Sequence, residues 1–261
     1  MTATLVVGVG EVGSALATVL GRNEEVLCHD IEPQTFEQSI EVMHLCFPFT
    51  SRQQFVETAL SYVRRFEPKL VIINSTVAPG TTRLLAKSCK AAVAFSPVRG
   101  KHSRMVNDLL RYVKFVASTE REAAERAAHH FERNGIKTRI VDKVETLELA
   151  KLAETTYFGL LIAYAQELNR FAAQCGAEYE QILDFFEEID FLPRWRYFPG
   201  FIGGHCVIPN IQLLKQQFSS PLLDAILDSN ERRAVELAST TANGSNSKRE
   251  DARKPWPKHA G

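Results

Sequence analysis

The sequence predicts an α/β protein in which a parallel sheet covered by helices precedes an all-helical domain built on one long helix. Three observations carry that reading. Short β-branched runs alternate with helically spaced apolar residues through the first half, the pattern of a parallel sheet covered on both faces. From Val144 the period becomes purely helical. A glycine-rich turn, Gly8-Val9-Gly10-Glu11-Val12-Gly13, stands between the first strand and the first helix.

In order, Thr4 to Val9 reads as a strand, Val12 to Leu20 as a helix, Glu25 to Asp30 and Val42 to Cys46 as strands. Apolar Phe55, Ala59, Val63 and Phe66 at helical spacing predict a helix over Arg52 to Arg65. Strand Leu70 to Asn74, helix Thr81 to Cys89, and strands Ala92 to Phe95 and Tyr112 to Ala117 follow. Helix Arg121 to Arg133 and strand Lys137 to Val141 complete this first domain, placed at residues 1–143. Leu147, Ala150, Leu152, Tyr157, Leu161, Tyr164, Leu168 and Phe171 then mark one helix ending near Gly176. Its apolar surface is wide, which predicts burial on several sides. Helices over Glu178 to Glu188, Ile211 to Phe218 and Pro221 to Leu237 flank a Pro- and Gly-rich stretch from Leu192 to Pro209, giving a helical domain at 144–237. Residues 238–261 are nearly devoid of apolar side chains apart from Trp256, and read as a disordered tail.

Composition removes several function classes. The 261 residues carry 31 Lys+Arg against 31 Asp+Glu, so no basic field exists for general nucleic-acid binding. Five cysteines, odd in number and without C-x-x-C spacing, argue against a disulfide framework or a zinc cluster. The N-terminus lacks the pattern of a signal peptide. The longest apolar stretch, Phe158 to Ala165, is far short of the ~20 residues that span a bilayer. The expectation is a soluble chain of the reducing cytoplasm, with a small-molecule substrate and neither a nucleic-acid nor a membrane partner.

The turn fits G-x-G-x-x-G in the strand-to-helix context of a Rossmann-type dinucleotide site. Gly8 permits the tight turn, Gly10 admits a pyrophosphate close to the backbone, and Gly13 lets helix and strand pack. Glu11 and Val12 lie in the first helical turn, whose N–H groups and dipole favour an anion. Asp30 closes the second strand, where a carboxylate can accept hydrogen bonds from a ribose. With Ile31 and Glu32 following, and no basic residue, NAD is favoured over its 2′-phosphorylated counterpart.

Three further places carry reactive side chains. Ser75-Thr76-Val77-Ala78-Pro79-Gly80-Thr81-Thr82 lies at a strand's carboxyl end, so Thr76 either faces the ligand crevice or, like Thr81, caps the next helix. Lys151 shares a helix face with Glu148 and Thr155, as a surface ion pair or as a catalytic residue. In Pro199-Gly200-Phe201-Ile202-Gly203-Gly204-His205-Cys206, a cysteine follows two glycines and a histidine immediately before a helix. That placement makes a sulfur accessible and reactive, whereas an isolated cysteine is more often a small buried hydrophobe.

Taken together, the G-x-G-x-x-G turn, S-T-V-A-P-G-T, E-L-A-K-L-A-E and P-G-F-I-G-G-H-C segments resemble, in that order, the UDP-glucose/GDP-mannose dehydrogenase family over roughly residues 1 to 220. The G-G-H-C form is most similar to its UDP-N-acetylhexosamine branch. The resemblance implies an NAD-dependent oxidation of a primary alcohol, first to an aldehyde and then to an acid. It assigns proton transfer to Lys151, a held water to Thr76, and capture of the aldehyde to Cys206. It places Thr155, Gly203, Gly204, His205 and Asn210 on the substrate, and implies a homodimer through the helical domain. The sequence departs from the family pattern at three residues. Val98 replaces a glutamate, Thr155 an asparagine, and Asn210 an aspartate, and no third, nucleotide-holding domain is read after the Cys206 helix. Those departures keep two rivals open: a two-electron 3-hydroxyacid dehydrogenase, and a catalytically silent NAD-binding scaffold.

Overall fold

A computed structural model describes residues 2–31, 35–190 and 197–243. The chain forms two compact units, Met1–Thr155 and Thr156–Gly261.

The first unit is a seven-stranded sheet in the order β2-β1-β3-β4-β5-β6-β7. Its strands are β1 (Thr2–Val7), β2 (Val26–His29), β3 (Ser39–Leu45), β4 (Leu70–Ile73), β5 (Ala92–Phe95), β6 (Lys114–Ser118) and β7 (Thr138–Val141). Helices α1 (Glu11–Leu20), α2 (Arg52–Phe66), α3 (Thr81–Ser88), α4 (Met105–Arg111) and α5 (Arg121–Arg133) connect them. The central strands are buried on both faces, and their residues alternate between two cores. Val71 and Ile73 join Leu5, Phe55 and Phe95 on one side, while Leu70 and Ile72 join Leu16, Leu20 and Phe131 on the other. The sheet order reverses beside β1, whose neighbours are β2 and β3, and this opens a crevice at the strands' carboxyl ends.

The sheet is not wholly parallel as expected. β6 runs antiparallel to β5, through Ala94↔Ser118 and Phe95↔Ala117. The chain between them makes a 3₁₀ turn (His102–Arg104) and then α4, neither of which was read from the sequence. Met105 and Leu109 of α4 pack with Ala15, Leu16 and Val19 of α1. The strand expected from Tyr112 accordingly begins at Lys114.

The long helix α6 (Val144–Cys175) starts within the first unit, where Val144 and Leu147 join the sheet core. In the second unit its remainder is accompanied by α7 (Tyr179–Glu187), α8 (Val207–Lys215) and α9 (Pro221–Asn243). Gly159 allows α8 to approach α6, since a Cβ there would lie 2.8 Å from Val207 Cγ1 and 2.9 Å from Ile211 Cδ1. The expected burial of α6 on several sides does not hold within one chain. Tyr157, Tyr164 and Phe171, seven residues apart in succession, are about half exposed. α8 begins at Val207 rather than Ile211. α9 continues past Leu237 into the segment read as tail, because a helix can run on without an apolar face. There the Ser239 hydroxyl lies 3.0 Å from the Val235 carbonyl and 2.9 Å from that of Glu236. The rest of the tail with Trp256, and also Glu32 and Leu192, lie outside the described residues.

Candidate functional site

At the carboxyl end of β1 the turn is shaped by contacts that only glycine permits. Gly8 has φ +89°, and a Cβ there would sit 2.8 Å from the Phe47 backbone nitrogen. A Cβ on Gly13 would come within 1.8 Å of the Gly8 carbonyl oxygen, so α1 can pack here only without a side chain. Gly10 differs. It is the N-cap of α1, no side chain caps that helix, and a Cβ on Gly10 would meet nothing within 4 Å. Its open side and the helix N-terminus form a cradle suited to a pyrophosphate. Glu11 is exposed and Val12 half-buried in the first turn. Asp30, exposed just beyond β2, accepts a 3.4 Å hydrogen bond from the Val9 N–H, which holds the carboxylate against the same turn. These residues fit the adenosine diphosphate half of NAD.

At the end of β4 the Ser75 hydroxyl donates to the Phe47 carbonyl at 2.6 Å, tying the loops after β3 and β4 together. Thr76 is half-buried beside it. Neither Thr76 nor Thr81 caps α3. Its N-cap is Gly80, and Thr81 donates to the Ala78 carbonyl. The capping group is Glu148 of α6, which accepts from Gly80 N at 2.6 Å, Thr82 N at 2.9 Å and Thr82 Oγ1 at 2.7 Å. Burial raises this carboxyl, and the hydrogen bonds from Thr82 and Gly80 only partly offset it.

Glu148 is therefore committed, and the carboxylate beside Lys151 is Glu154 at 3.4 Å. Lys151 is mostly buried and Glu154 half exposed, so the pair is weak. The Thr155 hydroxyl back-bonds to its own helix, 3.0 Å from the Leu152 carbonyl and 3.3 Å from that of Lys151.

Lys114 was not singled out by sequence, although a lysine opening an otherwise apolar strand is a signal. It is fully buried, donates to the Ser96 carbonyl at 2.8 Å, and lies 4.8 Å from the centre of the Phe131 ring. Burial holds its ammonium down to about 7, with the charges of Arg99 and Lys151 acting in the same direction and Cys46 against them. It thereby pins the Ser96-Pro97-Val98 segment that leaves β5, and Val98 itself is buried. A buried imidazole pair, also unforeseen, sits nearby, with His44 Nε2 and His130 Nε2 2.9 Å apart.

In the second unit Cys206 occupies the N-cap position of α8 and is exposed, as are Gly203, Gly204 and His205. Gly204 takes φ +82°, a left-handed step that turns the chain into the helix. Asn210 is one helical turn further on, with its N–H donating to the Cys206 carbonyl at 3.1 Å, but its side chain is buried. Cys28, Cys46 and Cys89 are partly buried, and burial pushes the Cys46 thiol up to about 12. Among the described residues no His, Cys, Asp and Glu side chains group as metal ligands. None of the described helices is long and apolar enough to cross a membrane.

Residues 145–232 match the central domain of the UDP-glucose/GDP-mannose dehydrogenase family. The chain is similar to named dehydrogenases over a longer stretch than that match. It is 25% identical over 195 residues to UDP-N-acetyl-D-mannosamine dehydrogenase of Methanocaldococcus jannaschii, covering 68% of this chain and 45% of the relative. It spans less than half the length of the curated relatives it matches. The structure of the UDP-D-ManNAc dehydrogenase of Pyrococcus horikoshii superposes with a TM-score of 0.79 at 19% identity, over 92% of this chain and 71% of that one. The 3-hydroxyisobutyrate dehydrogenase of Mycobacterium tuberculosis superposes with a TM-score of 0.67 at 15% identity, over 91% and 94% respectively. These likenesses establish the Rossmann-type dehydrogenase fold.

Proposed function

We propose that the chain is an NAD-dependent oxidoreductase acting on the primary alcohol of a nucleotide sugar, with residues 1–143 binding the cofactor and 144–237 carrying the substrate-directed chemistry. The observation that supports this most is the central-domain match over 145–232, because it encloses both reactive side chains, Lys151 and Cys206. When bound, NAD supplies the acceptor for hydride. Gly8, Gly10 and Gly13 shape the cradle for its pyrophosphate, and Asp30 accepts from its ribose. Lys151 moves the alcohol proton, Thr76 holds a water, and the Cys206 sulfur adds to the aldehyde carbon to give a thiohemiacetal. Thr155, Gly203, Gly204, His205 and Asn210 are the substrate contacts in this reading. Loss of a second hydride, to a further NAD, would turn the thiohemiacetal into a thioester; Asn210 cannot take a proton as a carboxylate does, so hydrolysis of that thioester is the slowest part.

The test is NADH formation with a panel of UDP-N-acetylhexosamines and small 3-hydroxyacids. Turnover of a nucleotide sugar that Cys206→Ser arrests after one oxidation supports the reading, and turnover of a 3-hydroxyacid indifferent to Cys206→Ser overturns it. The second outcome would favour the rival that the TM-score of 0.67 over 94% of 3-hydroxyisobutyrate dehydrogenase keeps in view. NAD binding without any turnover would leave a scaffold.

The α6 stripe of Tyr157, Tyr164 and Phe171 supports assembly as a homodimer through this helix. Light scattering should return a dimer at micromolar concentration, and Tyr164→Glu should return a monomer. Reduced thiols and a Cys206 nucleophile suit the cytoplasm.

A further inference from the structure

The chain from residue 197 to Cys206 has no ladder or helix to satisfy its backbone, yet Ile202 is buried within it. Its polar groups must therefore be met by side chains. Asn230 of α9 meets two of them: its Oδ1 accepts from Ile202 N at 2.7 Å, and its Nδ2 donates to Ile202 O at 3.2 Å. Gln166 of α6 meets a third, donating from Nε2 to Gly200 O at 2.6 Å. Both amides are buried.

Their orientation is fixed from behind. Arg170, which can only donate, gives Nη1–H to Ser229 Oγ at 3.1 Å. The Ser229 hydroxyl hydrogen is thus directed to Gln166 Oε1 at 2.9 Å, a better acceptor than the Ala163 carbonyl at 3.4 Å. With Oε1 so engaged, the Gln166 Nε2 is turned toward Gly200. Arg170 is itself held by Glu236 and Glu167. A one-way chain of donors therefore runs from the Arg170 guanidinium to the loop, and the loop's next residues are Gly203, Gly204, His205 and Cys206.

We infer that Asn230 and Gln166 are positioning residues for the Cys206 nucleophile, clamping residues 200–202 so that the exposed turn after them delivers the sulfur to the N-terminus of α8. The inference rests on the nucleophile role proposed above for Cys206, but the clamp itself is measurable without turnover. Neither residue touches a reacting atom. Two glycines directly before a nucleophile leave the chain little stiffness of its own, so the anchor must lie just upstream.

The experiment compares Asn230→Ala, Asn230→Asp and Gln166→Met with the unaltered full chain. Hydrogen exchange over residues 199–206 should quicken about tenfold or more in Asn230→Ala, which removes both bonds to Ile202, with residues 179–187 of α7 unmoved. Asn230→Asp keeps the acceptor for Ile202 N–H, so exchange at that amide should rise less. Alkylation of Cys206 by iodoacetamide should slow about threefold or more relative to Cys175 in the same chain, as the sulfur leaves the helix N-terminus. If the wild-type chain turns over a nucleotide sugar, kcat should fall about tenfold in Asn230→Ala and Gln166→Met with KM for NAD unchanged. Unchanged exchange over 199–206, a rise shared equally by α7, or an unaltered Cys206 rate in the loosened variants would overturn the inference. Should Asn230→Ala fail to fold, Gln166→Met carries the same readouts. Failure of the wild type to oxidise any alcohol would count against the proposed function alone, since exchange and alkylation still decide the clamp.

Discussion

The two units build their candidate sites in different ways. In the sheet unit the buried polar side chains serve the sheet's own core: Asn74, His44 and His130 follow one another through it, with imidazoles that burial keeps neutral, and Glu148 caps α3. Among the described residues His29 Nδ1, His130 Nδ1, Asn74 Oδ1 and Asn134 Oδ1 have no hydrogen-bond partner, and neither does Arg233 Nε of the helical unit. The sheet unit's candidate site is made of backbone, exposed by glycines at the end of β1. In the helical unit, Gln166, Arg170, Ser229 and Asn230 form one connected network that ends on the loop leading to Cys206. A sheet that hydrogen-bonds its own backbone can present that backbone to a ligand. Helices joined by an irregular loop must use side chains to hold it.

The sharpest way to break the comparison is to add a side chain where the sheet unit uses backbone. Gly13→Val places carbon against the Gly8 carbonyl, where even a Cβ would lie at 1.8 Å, and neither partner is a flexible side chain. The expected cost is about 4 kcal/mol of stability, with loss of NAD binding. Denaturant unfolding and calorimetric titration would check this. A variant that folds and binds normally would mean that the turn is not the cofactor cradle.

The matching change in the helical unit is Arg170→Met, which removes the cation at the head of the donor chain while keeping its bulk. The expected cost is about 3 kcal/mol, because the Ser229 hydroxyl and carbonyl lose their buried donor, while Glu236 keeps Arg233. Thermal unfolding should show the loss, and exchange over 199–206 should quicken with it.

This contrast also explains what could be read from the chain. The glycine turn, Asp30 and the strand-helix alternation are visible because each depends on residues near in sequence, with spacing set by local geometry. Lys151 and Cys206 were visible as residues, but not their partners. Helical spacing puts Glu148 on the face of Lys151, yet its carboxylate caps α3, more than sixty residues away in sequence. No period in the sequence links Asn230 to Ile202. The local pattern of Lys114 to Ser118 does not show that β6 runs against β5, because strand direction is set by the connection before it.

A third, smaller effect tests the neutrality of the sheet unit. Burial lowers the His130 imidazole to about 4, and lowers that of His44 as well. Above pH 6.5 both folded and unfolded imidazoles are neutral, so His130 contributes nothing. As pH falls from 6.5 toward 4 the unfolded chain binds a proton that the fold refuses, and stability drops by on the order of 2 kcal/mol. Glu24 and Glu148, whose carboxyls are raised by burial, act in the opposite direction at the acid end. Stability measured from pH 8 to 4.5 against His130→Gln removes their contribution. Parallel curves would show that the imidazole pair is solvated or shares a proton.

The smallest effect sharpens the comparison at its exposed rim, where the sheet unit does use a side chain. Asp30 is exposed, and its bond from Val9 N–H is long at 3.4 Å, so Asp30→Asn should leave stability within about 0.5 kcal/mol. Its influence should fall on ligand choice. In the proposed complex the carboxylate accepts from the adenosine ribose hydroxyls, and an amide replaces that charge-assisted contact with a neutral one, weakening NAD by about 1 kcal/mol. The same carboxylate repels a phosphate on the 2′ position, so the substitution should improve binding of the phosphorylated cofactor while impairing that of NAD. Calorimetric titration of both cofactors against both chains gives the four constants needed. The NAD preference of the wild type should shrink by about tenfold or more, the two changes being opposite in sign. If both cofactors weaken equally, Asp30 acts by shaping the Gly8 to Gly10 turn through Val9 rather than by contacting the ribose. The cofactor turn would then present backbone alone.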